Sequence, residues 1–264
     1  MLELANAGAR LRIDPALGGR VTSFEVGDHE LLRTPSDDPG GLHWGCFVMA
    51  PWPGRTRRGH FTFDGLNHTL EINSGAHAIH GTVRDREWEV VETDATAATL
   101  RCDFGPHWPF PGWAEHRVTV EDGAVGLALS LHTSAARMPA AGGWHPWWQR
   151  RLANGADVAL DLPATAMYRR DDGIATGELV SPPPPGPWDD CFTGLTGPPV
   201  LRWPGAVELA IESDCPCVVV YDEPEQAVCV EPQSAPPDGL NHGPAVATPG
   251  HPVVVHSSWR WSVG

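Results

Sequence analysis

Four stretches of the chain join titratable side chains to turns or strand ends. "GGWHPWWQR" (142–150) sets His145 among three tryptophans, directly behind two glycines. "CVEPQSAPPDGLN" (229–241) puts Glu231 at the end of an apolar run, where a solvated strand face would carry alternating polar residues. A carboxylate in such surroundings needs a partner and is driven to a raised pKa, which is how sites make bases. "APWPGR" (50–55) ends in Arg55, a permanently charged fork of donors, and "NSGAHAIHG" (73–81) carries His77 and His80 beside glycines. Singly, each has a plain structural account: a histidine is more often a packing residue than a catalyst, and Trp147 and Trp148 would fill a core. Together, aromatic surface, carboxylates, imidazoles and an arginine suit a neutral polyhydroxylated ligand. Apolar sugar faces stack on tryptophan, while hydroxyls need fixed donors and acceptors. His77 and His80, three apart, do not share one strand face and have no conventional third ligand nearby, so no metal is expected there.

The elements that would position these groups are strands. The 29 glycines and 27 prolines break the chain into short pieces and leave no room for long helices. In "HRVTVEDGAVGLALSLH", Val118 and Val120 lead into Asp122-Gly123, and Val125, Leu127, Leu129 and Leu131 alternate out of it, which predicts a hairpin. The same arrangement recurs around Gly27-Asp28 and Asp64-Gly65, and further strands follow in "EWEVVETDATAATLRCDF" and "AVELAIESDCPCVVVYDEPEQAVCVEP". Strands with turns between them predict an all-β antiparallel sandwich or barrel, and residues 1–264 read as one domain. "SPPPPGPWDD" (181–190) is a stiff segment that would hold the following "WDDCF" in place at the edge of a cleft.

A formal net charge of −15 with scattered arginines excludes nucleic acid and anionic membrane surfaces as partners. The start of the chain lacks the unbroken apolar stretch of a signal peptide, which gives a cytoplasmic expectation. The six cysteines fit no zinc-binding spacing and read as reduced, mostly buried residues.

Taken in order, "MAPWPGRTRRGHFTFDG", "NSGAHAIHG", "GWHPWW", "DDCF" and "CVEPQSAPPD" resemble the aldose 1-epimerase (galactose mutarotase) family, from about Ala50 to Asp238, and its broad-specificity bacterial branch in particular. The resemblance implies a large single-domain antiparallel β-sandwich that interconverts the α and β anomers of a free aldohexose such as glucose or galactose, as a monomer or homodimer, with no cofactor and no metal. Carried over by motif, Glu231 is the general base at the anomeric hydroxyl, His145 the general acid at the ring oxygen, and His80 the second catalytic histidine. Arg55 binds sugar hydroxyls, as does Asp189 or its neighbour Asp190, with Trp147 and His77 completing the substrate contacts. Val219 stands where galactose mutarotases place a glutamine, two before the tyrosine, here Tyr221. Apolar walls are expected to raise the pKa of Glu231, and nearby carboxylates that of His145. Three other readings share these residues: a hexose-6-phosphate 1-epimerase using Arg57 and Arg58 as a phosphate clamp, a non-catalytic carbohydrate-binding protein, and a glycoside hydrolase with Glu231 and Asp189 as its carboxylates.

Overall fold

A computed structural model describes residues 1–38, 41–153, 155 and 157–264. Two antiparallel sheets, one of eleven strands and one of eight, pack face to face, with three short two-stranded ribbons at their margins. No α-helix forms among the described residues, only three single 3-10 turns. No helix is therefore long and apolar enough to cross a membrane. The expected antiparallel β-sandwich is what the chain builds.

The hairpins lie where the turn residues place them. Gly112–Glu121 pairs with Ala124–Thr133 through Val120 and Val125 around Asp122-Gly123, and His60–Phe63 pairs with Leu66–Thr69 around Asp64-Gly65. Arg20–Val26 turns through Gly27-Asp28 into His29–Glu30. All six cysteines are free and buried.

The middle of the larger sheet runs, in order, Arg20–Val26, Cys46–Met49, Gly143–Gln149, Ala227–Gln233, Cys217–Tyr221 and Asp189–Leu195. Successive side chains point to opposite faces. Trp144, Trp148, Val218, Val220, Val228, Val230 and Phe192 face the second sheet and join one large core. There Trp148 meets Trp259 of the opposite sheet edge-on at 4.9 Å. The alternate residues Phe47, Met49, Trp147 and Cys229 form a separate cluster on the other face. All seven residues of Ala227–Gln233 are buried, because both faces of this strand are covered. That double burial is why the strand reads as an unbroken apolar run up to Glu231.

Candidate active site

The face of the large sheet turned away from the core carries a cleft of about 370 Å³, lined by Phe47, His80, His145, Trp147, Asp189 and Glu231 among others. Strand register assembles it. The pairs Gly143–Gln233 and Trp147–Cys229 bracket His145 and Glu231, which therefore face each other across neighbouring strands. His145 Nε2 lies 3.2 Å from Glu231 Oε1. On the next strands, Val219 pairs with both Glu231 and Cys191, and Asp189 pairs with Tyr221.

The tryptophans around His145 divide their work between the two faces. Trp144 and Trp148 fill the core, whereas the Trp147 ring stacks on the imidazole at 5.0 Å and 17°. Phe47, the cross-strand partner of His145, stacks against it at 4.7 Å. The imidazole is thus held between two aromatic rings and meets His80 edge-on at 5.2 Å. Burial pushes the pKa of Glu231 well above the usual carboxylate range, with the Asp189 charge adding to it. The expected direction for Glu231 therefore holds.

For His145 the direction is opposite to expectation. Its pKa is pushed down to about 3 by burial, then by the positive charges of Arg20 and Arg84. Arg20 runs beneath the site, its guanidinium 4.3 Å from the Trp44 ring and 5.0 Å from Phe47, and donates to the carbonyls of Leu42 and Trp44. Desolvation and two arginines set the direction, and Glu231, itself held toward the neutral form by burial, is not the charge that was expected to raise this group. His80 is also held well below the ordinary histidine value, by burial and by His145 beside it.

The loops carrying Arg55 and His80 are tied to the turn that follows Glu231. Arg55-Thr56 pairs with Ala78-Ile79, and the His80 N–H donates to the Gly54 carbonyl at 3.0 Å. Asp238 donates its own N–H to the Arg55 carbonyl and accepts from Arg57 N–H at 2.8 Å. "APWPGR" and "SAPPDG" are thus two halves of one docked assembly. The Arg55 guanidinium lies 4.0 Å from Asp189 Oδ2. Arg170 binds Asp189 at 2.8 Å and approaches Asp190 at 3.4 Å, so one arginine fixes both aspartates on the cleft wall. The proline segment anchors them from behind: the Trp188 indole donates to the Pro184 carbonyl at 2.9 Å.

His77 is not brought into the cleft lining. Its Nδ1 accepts from Arg58 N–H and its Nε2 lies 3.1 Å from Asp172 Oδ2, so the ring links the Arg57–Gly59 turn to Asp172. Arg57 and Arg58 also lie outside the lining, with Arg57 turned to Asp171 at 3.7 Å. Arg84, Arg170, Phe47 and Gln233, all lining the cleft, were not singled out from the sequence. Arg84 follows "IHG" by three residues, a proximity that could have marked it; Arg170 sits in the charged run "YRRDDG" and reads as surface.

One group of possible metal donors occurs among the described residues: His145, Cys229 and Glu231, within 4.8 Å of one another. Donors around a tetrahedral zinc stand roughly 3.5 Å apart for bonds of about 2.1 Å. The His145–Glu231 edge, at 3.2 Å, is close to that spacing, and the set as a whole lies within 4.8 Å.

The sequence profile of the aldose 1-epimerase family matches residues 1–186, a span that includes Arg55, His80 and His145. The uncharacterised protein YihR of Escherichia coli K12 is 29% identical over 131 residues, 47% of this chain and 42% of YihR, so the match spans less than half of that relative. A galactose mutarotase-like protein of Clostridium acetobutylicum superimposes with a TM-score of 0.87 at 15% identity, covering 99% of this chain and 95% of that one. The GalM/aldose epimerase homologue of C. elegans gives 0.84 at 18% identity, with coverage of 99% and 98%. Galactose 1-epimerase of Lactobacillus acidophilus gives 0.81 at 15% identity, with coverage of 99% and 94%. At such identities the structures share the fold alone; the profile match, over more than half of the sequence, carries the further conclusion that the chain belongs to the aldose 1-epimerase family.

Proposed function

We propose that this protein is a mutarotase, interconverting the α and β anomers of a free aldohexose, with Glu231 and His145 as the proton-transfer pair and His80 beside them. The observation that carries the reading is a carboxyl and an imidazole 3.2 Å apart at the floor of a cleft large enough for one sugar ring. Ring opening moves two protons: one leaves the anomeric hydroxyl and one arrives on the ring oxygen. Rotation about the bond beside the new aldehyde and closure on its other face give the other anomer. Each positioned acid or base supplies about a hundredfold to ten-thousandfold.

The directions of the two pKa shifts define the working state. In the empty cleft burial favours a neutral carboxyl and a neutral imidazole. Moving the Glu231 proton to His145 Nε2 gives carboxylate and imidazolium with no change in proton count. That ion pair is the base and acid that ring opening consumes: the carboxylate takes the O1 proton and the imidazolium gives its proton to the ring oxygen. Opening regenerates the neutral pair, and closure runs the same transfers backwards. Sugar hydroxyls, by hydrogen bonding to the charged forms, offset the desolvation that disfavours them. Arg55, Asp189 and Arg170 supply donors and acceptors for the remaining hydroxyls, and Trp147 supplies apolar surface for a ring face.

The test is polarimetry of freshly dissolved α-D-glucose and α-D-galactose. The protein should accelerate the change in rotation, and Glu231→Gln and His145→Asn should each reduce that acceleration by about a hundredfold or more. Absence of any acceleration on both sugars would overturn the reading.

A further inference from the structure

We infer that Gln233 is the positioning residue for the base: its side-chain amide grips one oxygen of Glu231, fixes the orientation of the carboxyl and makes its charged form reachable. The inference rests on the roles proposed above for Glu231 and His145.

Glu231 and Gln233 are two apart on one strand and so share a face. Gln233 Nε2 donates to Glu231 Oε2 at 3.0 Å, while Oε1 is the oxygen 3.2 Å from His145. The two carboxyl oxygens therefore have different partners, one for holding and one for proton exchange. The amide orientation follows from the chemistry: the carboxyl holds its proton on Oε1 toward His145, so Oε2 can only accept, and the amide oxygen turned to it would be repelled. Gln233 is fully buried and lines the cleft. Its cross-strand partner is Gly143, where a Cβ would stand 3.1 Å from the Gln233 Cα and 3.2 Å from its Cγ. Glycine there lets the glutamine stand close.

The other end of the amide shows that packing is not its purpose. Gln233 Oε1 is buried without a hydrogen-bond partner, which is destabilising and which a methionine of similar length would avoid. What the amide supplies is a donor to the carboxyl. The groups that act on Glu231 are His145, Asp189 and Arg55, with the thiols of Cys46, Cys191 and Cys229 around it. Asp189 opposes ionisation, Arg55 favours it from a distance, and Gln233 favours it by direct contact without titrating itself.

The experiment compares wild type with Gln233→Met and Gln233→Asn, the second too short by one methylene to make the bond. Loss of the donor raises the Glu231 pKa further and makes the ion pair harder to reach. Both variants should therefore turn over about tenfold more slowly, while the alkaline limb of kcat/KM moves up by about one pH unit. A merely structural role would lower activity with the limb unmoved. A carbon-13 NMR titration of the Glu231 carboxyl reads the same shift without turnover. An unmoved midpoint in both variants overturns the inference. A raised midpoint in a protein that does not accelerate mutarotation would instead overturn the proposed function and leave the grip of Gln233 on Glu231 standing.

Discussion

At the scale of single residues, the sign of two pKa shifts sets the expected pH dependence. The proposed pair shares one titratable proton between Glu231 and His145, and either losing it or gaining a second stops the exchange. His145 is held down to about 3, so the second proton is added only in strong acid. Glu231 is held well above the carboxylate range, so the shared proton is lost only at a pH well above that range. The catalysed rate should thus fall as pH rises through the upper apparent pKa of the pair, and survive acidification well past the ordinary histidine value near ~6.5. An activity that halves at pH ~6.5 on the way down would mean that an imidazole of ordinary pKa has to stay neutral for the reaction, and would sink this account. Glu231, His145, His80, Arg55 and Asp189 could each be picked from the sequence because each stands in its own short motif, and the structure gathers them at one cleft. The direction of the His145 shift was not legible. It depends on Arg20 and Arg84, which reach the imidazole from distant segments that no local pattern connects to it.

At the scale of elements, the cleft depends on loops pinned by close backbone contacts. His80 itself has φ of 62°, and Gly81, at φ of 74°, follows it. A Cβ on Gly81 would stand 1.8 Å from the Ala50 carbonyl oxygen, a contact that only backbone movement could relieve. Gly81→Ala should therefore cost roughly 1–3 kcal/mol and displace His80, with a loss of activity beyond the loss of stability. Gly75→Ala is the control in the same loop: its φ is 57°, but nothing lies within 4 Å of the added carbon. It should show only the backbone preference, about 1 kcal/mol, and near-normal turnover. Equal losses in the two variants, by chemical denaturation and polarimetry, would show that the Ala50 contact does not hold His80. The strands and hairpins were legible because alternation and turn residues are local signals. That "APWPGR" docks on "SAPPDG" was not, since Asp238 reaches Arg57 across 181 positions of sequence.

At the scale of the whole molecule, the two sheets are joined directly beneath the cleft by a polar contact inside the core. Trp144, next to His145 on the same strand, donates its indole N–H to His116 Nε2 of the opposite sheet at 3.0 Å. His116 is fully enclosed, and burial pushes its pKa down to about 3. Accepting from Trp144 requires that Nε2 carry no proton, so the contact exists only with a neutral ring. In the unfolded chain the same histidine titrates near ~6.5. A folded pKa below the unfolded one means stability that is complete above ~6.5 and is lost as pH falls from there toward about 3, where the folded state finally binds the proton too. Each such histidine contributes a slope of about 1.4 kcal/mol per pH unit in that window. Raised carboxylates such as Glu231 and Glu30 push the other way, because the folded state takes up their protons first as pH falls. The net slope of the wild type therefore mixes signs, and the difference made by one residue isolates the His116 contribution. Between pH 7 and pH 5, wild type should lose about 2 kcal/mol more stability than His116→Gln, whose amide oxygen still accepts from Trp144 but does not titrate. Urea unfolding at the two pH values measures it, and an identical loss in both proteins would mean that His116 takes up its proton in the folded state as readily as in the unfolded chain, so that the Trp144 indole loses its acceptor as pH falls.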